Sequence, residues 1–149
     1  MIRNFFLINA LFFCILISSP SLANQLSYFD EALSHYKKNE LVKSKFFFEK
    51  DIVYNPKNEK SYLYLAKIFN TQENVKEEEV NLNNVLMLNP LNDEAIYMLA
   101  LLKISQSDYE RSKELIDKFV LVCKTMCLKK NEITEKLKKL IPEDAKDNN

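Results

Sequence analysis

The chain is predicted to be all-α, a stack of antiparallel helix hairpins, and three observations predict it. Among 149 residues there is no glycine, where an average composition of roughly 7% would supply about ten. Positive-φ hairpin turns, phosphate loops, dinucleotide fingerprints, nucleophile elbows and EF-hand turns all lean on glycine, so strand meanders and those sites lose their usual form. The second observation is a step of 34 residues that separates Asn55-Pro56 from Asn89-Pro90, each pair closing an apolar stretch. The third is helical spacing of apolar residues inside each step, as in Tyr62, Leu65, Ala66 and Phe69 at i, i+3, i+4 and i+7.

The first element is a bacterial-type export signal over residues 1–23. Arg3 gives a positive lead, Phe5 to Ile17 is apolar apart from Asn9, and Ser21 and Ala23 are small where a signal peptidase reads. Cleavage is expected after Ala23, leaving an exported, periplasmic chain from Asn24. The alternative is a membrane anchor, for which the run falls short of the roughly 20 residues that span a bilayer.

Three units follow, at 24–57, 58–91 and 92–124. Ala32, Ala66 and Ala100 recur at the 34-residue step, as do Asn24, Asn58 and Asn92, then Leu41, Val75 and Tyr109, then Phe48, Leu82 and Ile116, then Ile52, Leu86 and Val120. The asparagines stand where a side chain caps a helix start. The alanines mark the closest helix approach. A second helix starts near Glu40, Asn74 or Asp108, and the residue before proline leaves the α region and ends it. Between the two helices fall Asn39, Glu73 and Ser107.

Residues 125–149 complete the chain as a capping helix and a polar tail. Ile133, Leu137, Leu140 and Ile141 share one face opposite Glu132, Glu135, Lys136, Lys138 and Lys139. A repeat array needs such an end, since its last stacking face would otherwise meet water. Pro142 stops the helix and 143–149 should fray.

This pattern resembles the tetratricopeptide repeat family over residues 24 to about 124. The second unit carries it best, with Tyr62-x-x-Leu65-Ala66-x-x-Phe69, Val75, and Leu82-x-x-Val85-Leu86-x-Leu88-Asn89-Pro90. Glu31, Asp51, Glu78 and Lys124 depart from the consensus, and the resemblance implies glycine in the intra-hairpin turns, where Asn39, Glu73 and Ser107 stand here. The resemblance implies a right-handed α-solenoid whose first helices line a concave groove for a peptide or helix of a protein partner. By register the groove positions are Phe29, Leu33 and Tyr36, then Leu63, Lys67 and Asn70, then Tyr97, Leu101 and Ile104. Phe29 and Leu33 stand where the family's carboxylate clamps place Lys and Asn, so an apolar segment is the expected ligand, with Lys67 and Asn70 fixing backbone or one acidic group.

Charge and chemistry narrow the function further. Lys and Arg equal Asp and Glu at 21 each, and Arg3 and Arg111 are the only arginines, so no nucleic-acid or phosphate reader is expected. Cys123 and Cys127 are the mature cysteines and are expected to bridge in an oxidising compartment, pinning the cap. A redox or metal role for that pair is the competing reading, weakened by the three-residue spacer and by the want of further ligands nearby. His35 has no motif around it. Phe46, Phe47 and Phe48 span about 200° of helix, so Phe48 suits the core while Phe46 and Phe47 are either exposed or half covered. The reading is a non-enzymatic scaffold of the cell envelope, without cofactor, metal or small-molecule substrate. A self-associating module that dimerises through the first repeat is a further alternative.

Overall fold

The computed structural model describes residues 27–140, and among them every regular element is helical. The helices are α1 (Tyr28–Lys37), α2 (Leu41–Tyr54), α3 (Glu59–Thr71), α4 (Val75–Leu88), α5 (Asp93–Ser105), α6 (Tyr109–Val122) and α7 (Lys130–Leu140), with one 3-10 turn at Cys127–Lys129. The register read from sequence reappears in the bounds. Helices α2, α4 and α6 each run 14 residues, α3 and α5 each run 13, and equivalent ends are 34 apart. Pairs α1–α2, α3–α4 and α5–α6 form hairpins, α2 packs on α3, α4 on α5, and α7 closes the stack against α6. The chain is an all-helical repeat solenoid.

Local chemistry sets the turns. Glu40, Asn74 and Asp108 are the N-cap residues of the second helices, and Asn74 and Asp108 accept from the N–H of Glu77 and Arg111. One residue earlier, Asn39, Glu73 and Ser107 adopt φ of 59°, 55° and 60°. That left-handed region normally goes to glycine, and here the stacked helices on either side impose it on residues with a Cβ. The expected asparagine caps hold unevenly. Asn92 accepts from Ala95 N–H at 2.9 Å, but Asn58 makes no side-chain cap and instead donates to Asp51 Oδ2 at 2.7 Å. Ser27 caps α1 by accepting from Asp30 N–H, while Asn24 and residues 1–23, the expected export signal, lie outside the described residues.

The core forms where helix faces meet. Ala32, Ala66 and Ala100 have no exposed surface, which lets the two helices of each hairpin approach closely. Phe48, Leu65, Ile68 and Phe69 join Ala32 in one cluster; a larger one runs from Leu63 through Leu82, Ile96 and Phe119 to Ile133 and Leu137. Buried polar groups are satisfied. Ser44 Oγ donates to the Ala32 carbonyl across the first hairpin at 3.0 Å, and Asp51 accepts from Asn55, Asn58 and Ser61. Those three donors explain how an acid fits a position that Val85 and Phe119 fill in the later repeats. In the cap, Ile133 and Leu137 are buried as expected, whereas Leu140 is exposed and Ile141, Pro142 and the tail fall outside the described residues.

Candidate partner-binding surface

The first helices of the hairpins, α1, α3 and α5, present the groove positions. Phe29, Leu33 and Tyr36 stand half-buried on α1, packed against the cluster of Ala32, Phe48 and Leu65. Phe29 packs against Phe48 at 5.7 Å between ring centroids and against Tyr64 at 6.1 Å. Tyr36 meets Tyr64 edge-on at 4.9 Å, and Tyr64 in turn stacks on the buried Phe48 at 5.1 Å. The result is an aromatic floor with a rigid base.

Tyr64 was not among the sequence-derived groove residues. It precedes Lys67 by three positions on α3, so helical spacing already placed it on the Lys67 face. Lys67 Nζ lies 4.8 Å from the Tyr64 ring centroid and 2.9 Å from Glu94 Oε1 on α5. The groove lysine is therefore paired within the chain. Asn70 is committed too, since its Nδ2 donates to both carboxylate oxygens of Glu78 at 3.1 Å. Glu78 is buried, and desolvation raises its pKa against the lowering effect of Asn70.

Leu63, Tyr97 and Ile104 are placed in the core. The next element of the solenoid covers such positions. Tyr97 packs on Phe119 at 5.5 Å and its hydroxyl donates to Glu132 on α7, while burial and the Glu132 charge raise its pKa. Leu101 remains half-buried. The groove positions that stay accessible are thus Phe29, Leu33, Tyr36, Lys67, Asn70 and Leu101, joined by Tyr64 and weighted toward the first two hairpins.

The remaining candidate chemistry resolves into structural contacts. His35 Nδ1 pairs with Glu40 Oε2 at 2.5 Å and its ring stacks on Phe47, closing the first turn; the hydrogen bond from His35 lowers the Glu40 pKa. Phe46 is exposed and Phe47 half-buried. Cys123 caps the end of α6, Cys127 opens the 3-10 turn, and their sulfurs lie at bonding distance with Cα atoms 5.2 Å apart. Between them, the N–H groups of Lys124, Thr125 and Met126 donate to Asp93 Oδ2 at 2.7, 2.6 and 3.1 Å, and Thr125 Oγ1 adds a bond to Oδ1. Burial acts to raise the Asp93 pKa, and these donors together outweigh it and hold the carboxyl at about 2. Among the described residues no group of three or more His, Cys, Asp or Glu is arranged to hold a metal ion.

No family model and no curated protein matches the chain by sequence. Solved structures do match by fold. The first TPR of Spaghetti (RPAP3) bound to HSP90 peptide SRMEEVD superposes with a TM-score of 0.67 at 13% identity, over 76% of this chain and 90% of that one. The Sgt2 TPR domain from Aspergillus fumigatus gives 0.63 at 14%, over 75% and 78%. A chain of the CopN-Scc3 complex gives 0.61 at 17%, over 85% and 72%. Helix order, 34-residue step and these superpositions agree that the chain has the tetratricopeptide-repeat fold.

Proposed function

We propose that this protein is a non-enzymatic interaction module of the cell envelope, exported by the 1–23 signal, which seats an apolar peptide or helix of a partner protein on α1 and α3. The observation that carries the reading is the half-buried aromatic floor of Phe29, Tyr36 and Tyr64, extended by Leu33. Aromatic side chains on a fixed base gain contact area at small entropic cost. Lys67 is already paired with Glu94, so a free terminal carboxylate finds no unpaired cation there and an apolar segment fits better. A neighbour in fold holds a peptide, the acidic SRMEEVD, which supports peptide binding as such, while the apolar character of the ligand rests on the residues of this groove.

The test is capture of partners from a native envelope extract by the chain and by its Leu33→Glu, Tyr36→Ser variant. Both residues are half-exposed, so the variant should fold, which circular dichroism checks. Loss of specific partners supports the reading, and an unchanged set with an intact fold removes it. A second reading rests on Val42 and Phe46, exposed along one stripe of α2: pairing of the first hairpin with a second copy. Light scattering of the purified chain decides that, since a monomer at high concentration excludes it.

A further inference from the structure

One ion pair borders the aromatic floor. Lys67 Nζ, on α3, lies 4.8 Å from the Tyr64 ring centroid and 2.9 Å from Glu94 Oε1, in the first turn of α5. Tyr64 itself meets Phe29 and Tyr36, so the ammonium bridges the rim of the floor and the next hairpin. Among the described residues Glu94 is the only carboxylate paired with Lys67, and the two side chains remain 23% and 34% exposed, within reach of a ligand.

The other polar groups on these helix faces cannot play the same part. Asn70, one turn beyond Lys67, is held by both carboxylate oxygens of Glu78. Asp30 and Lys37 share the α1 face with Leu33 by helical spacing, as Lys60 shares the α3 face with Tyr64. All three are exposed, where water and salt screen them. Lys67 is partly buried and seated on a ring, so a carboxylate arriving at the floor meets it directly unless Glu94 already holds it.

We infer that Glu94 decides which charge class of peptide the groove accepts: by neutralising Lys67 it closes the floor to acidic segments and leaves it open to apolar ones. The inference rests on the groove reading above and adds the residue that sets its specificity. A ligand carboxylate would have to break one ion pair to form another and would then lie beside the displaced Glu94, a like charge. An apolar segment leaves the pair intact. A carboxylate in the first turn of α5 also suits the helix dipole. A pair that served the fold alone would have the same geometry, and ligand selection separates the two roles.

The probe is the acidic peptide SRMEEVD, set beside an analogue in which every carboxyl is a carboxamide. Both are titrated into the full chain, its Glu94→Gln variant, and the variant carrying Glu94→Gln with Lys67→Gln, with amide NMR shifts as the readout. Glu94→Gln should bind the acidic peptide roughly tenfold more tightly than wild type, through one released charge-assisted contact. The carboxamide analogue should bind both alike, and adding Lys67→Gln should return the acidic peptide to its wild-type affinity. Glu94→Ala repeats the measurement should Glu94→Gln not fold. No gain, an equal gain for the analogue, or a gain that survives Lys67→Gln overturns the inference. If Leu33→Glu, Tyr36→Ser abolishes partner capture while Glu94→Gln brings no gain, the role of Glu94 falls and the groove stands; an unchanged partner set in that variant removes the groove itself.

Discussion

The Asp93 carboxylate accepts the backbone N–H of Thr125 at 2.6 Å, joining the first turn of α5 to the segment that leads into the cap, 32 residues further on. The neighbouring N–H groups of Lys124 and Met126 share the same oxygen, and the 123–127 ring holds them in place. Asp93 also stands at a helix N-terminus, where negative charge is favoured. One buried acid thus secures the end of the stack.

Its folded pKa of about 2 lies below the ordinary 3.8, so the carboxylate contributes stability that is fully present above pH 3.8 and is lost as pH falls through 2. The shift corresponds to roughly 2 kcal/mol. Asp93→Asn should cost about 2 kcal/mol at pH 7, and the difference from wild type should shrink below pH 4. Urea melts at several pH values check both.

Glu73 and Ser107 sit at φ of 55° and 60°, where a Cβ crowds the following carbonyl. Glu73→Gly and Ser107→Gly should each stabilise the chain by roughly 0.5–1 kcal/mol, the relief outweighing the added freedom of the unfolded chain. Asn39→Gly should gain less, because asparagine tolerates this region. Thermal denaturation of the three variants ranks them.

Glu78 occupies the position that Ser44 and Ser112 hold in the other hairpins, and all three are buried. Its pKa is raised by desolvation, so the folded chain binds the proton more tightly and loses stability as pH rises through that range. Glu78→Ala should stabilise by about 1 kcal/mol at pH 7. The gain should vanish near pH 4, which chemical denaturation at the two pH values tests.

Breaking the Cys123–Cys127 link should act locally. A ring this short restricts the unfolded chain by about 2 kcal/mol at most. Cys123→Ser with Cys127→Ser is expected to lower amide exchange protection in α7 while α1 to α4 keep theirs. Non-reducing mass measurement with thiol alkylation reads the state of the pair directly.

Much of this architecture was legible in the residue order. The 34-residue step located the hairpins, and Glu40, Asn74 and Asp108 proved to be the N-caps of α2, α4 and α6. The reading of Asn39, Glu73 and Ser107 as glycine substitutes matched the three positive-φ residues. Such features are local, since cap chemistry and helical period act within a turn or two. The surface was less legible. Register treated Leu63, Tyr97 and Ile104 like Phe29, Leu33 and Tyr36, but equivalent positions differ in burial because the neighbours stacked on them differ.

Composition and periodicity by themselves determined that the chain is helical, how many hairpins it holds, where each turns and which face of each helix is apolar. Those properties follow from backbone preference and the 3.6-residue period, and need no knowledge of what lies across the interface. Tertiary structure alone decided that Lys67 is bound to Glu94, that Asp51 keeps company with Asn58 and Ser61, and that Asp93 anchors the cap. Each of these joins groups from separate elements. Their partners are chosen by the distance of closest approach between packed helices, a quantity that exists only once the stack has formed.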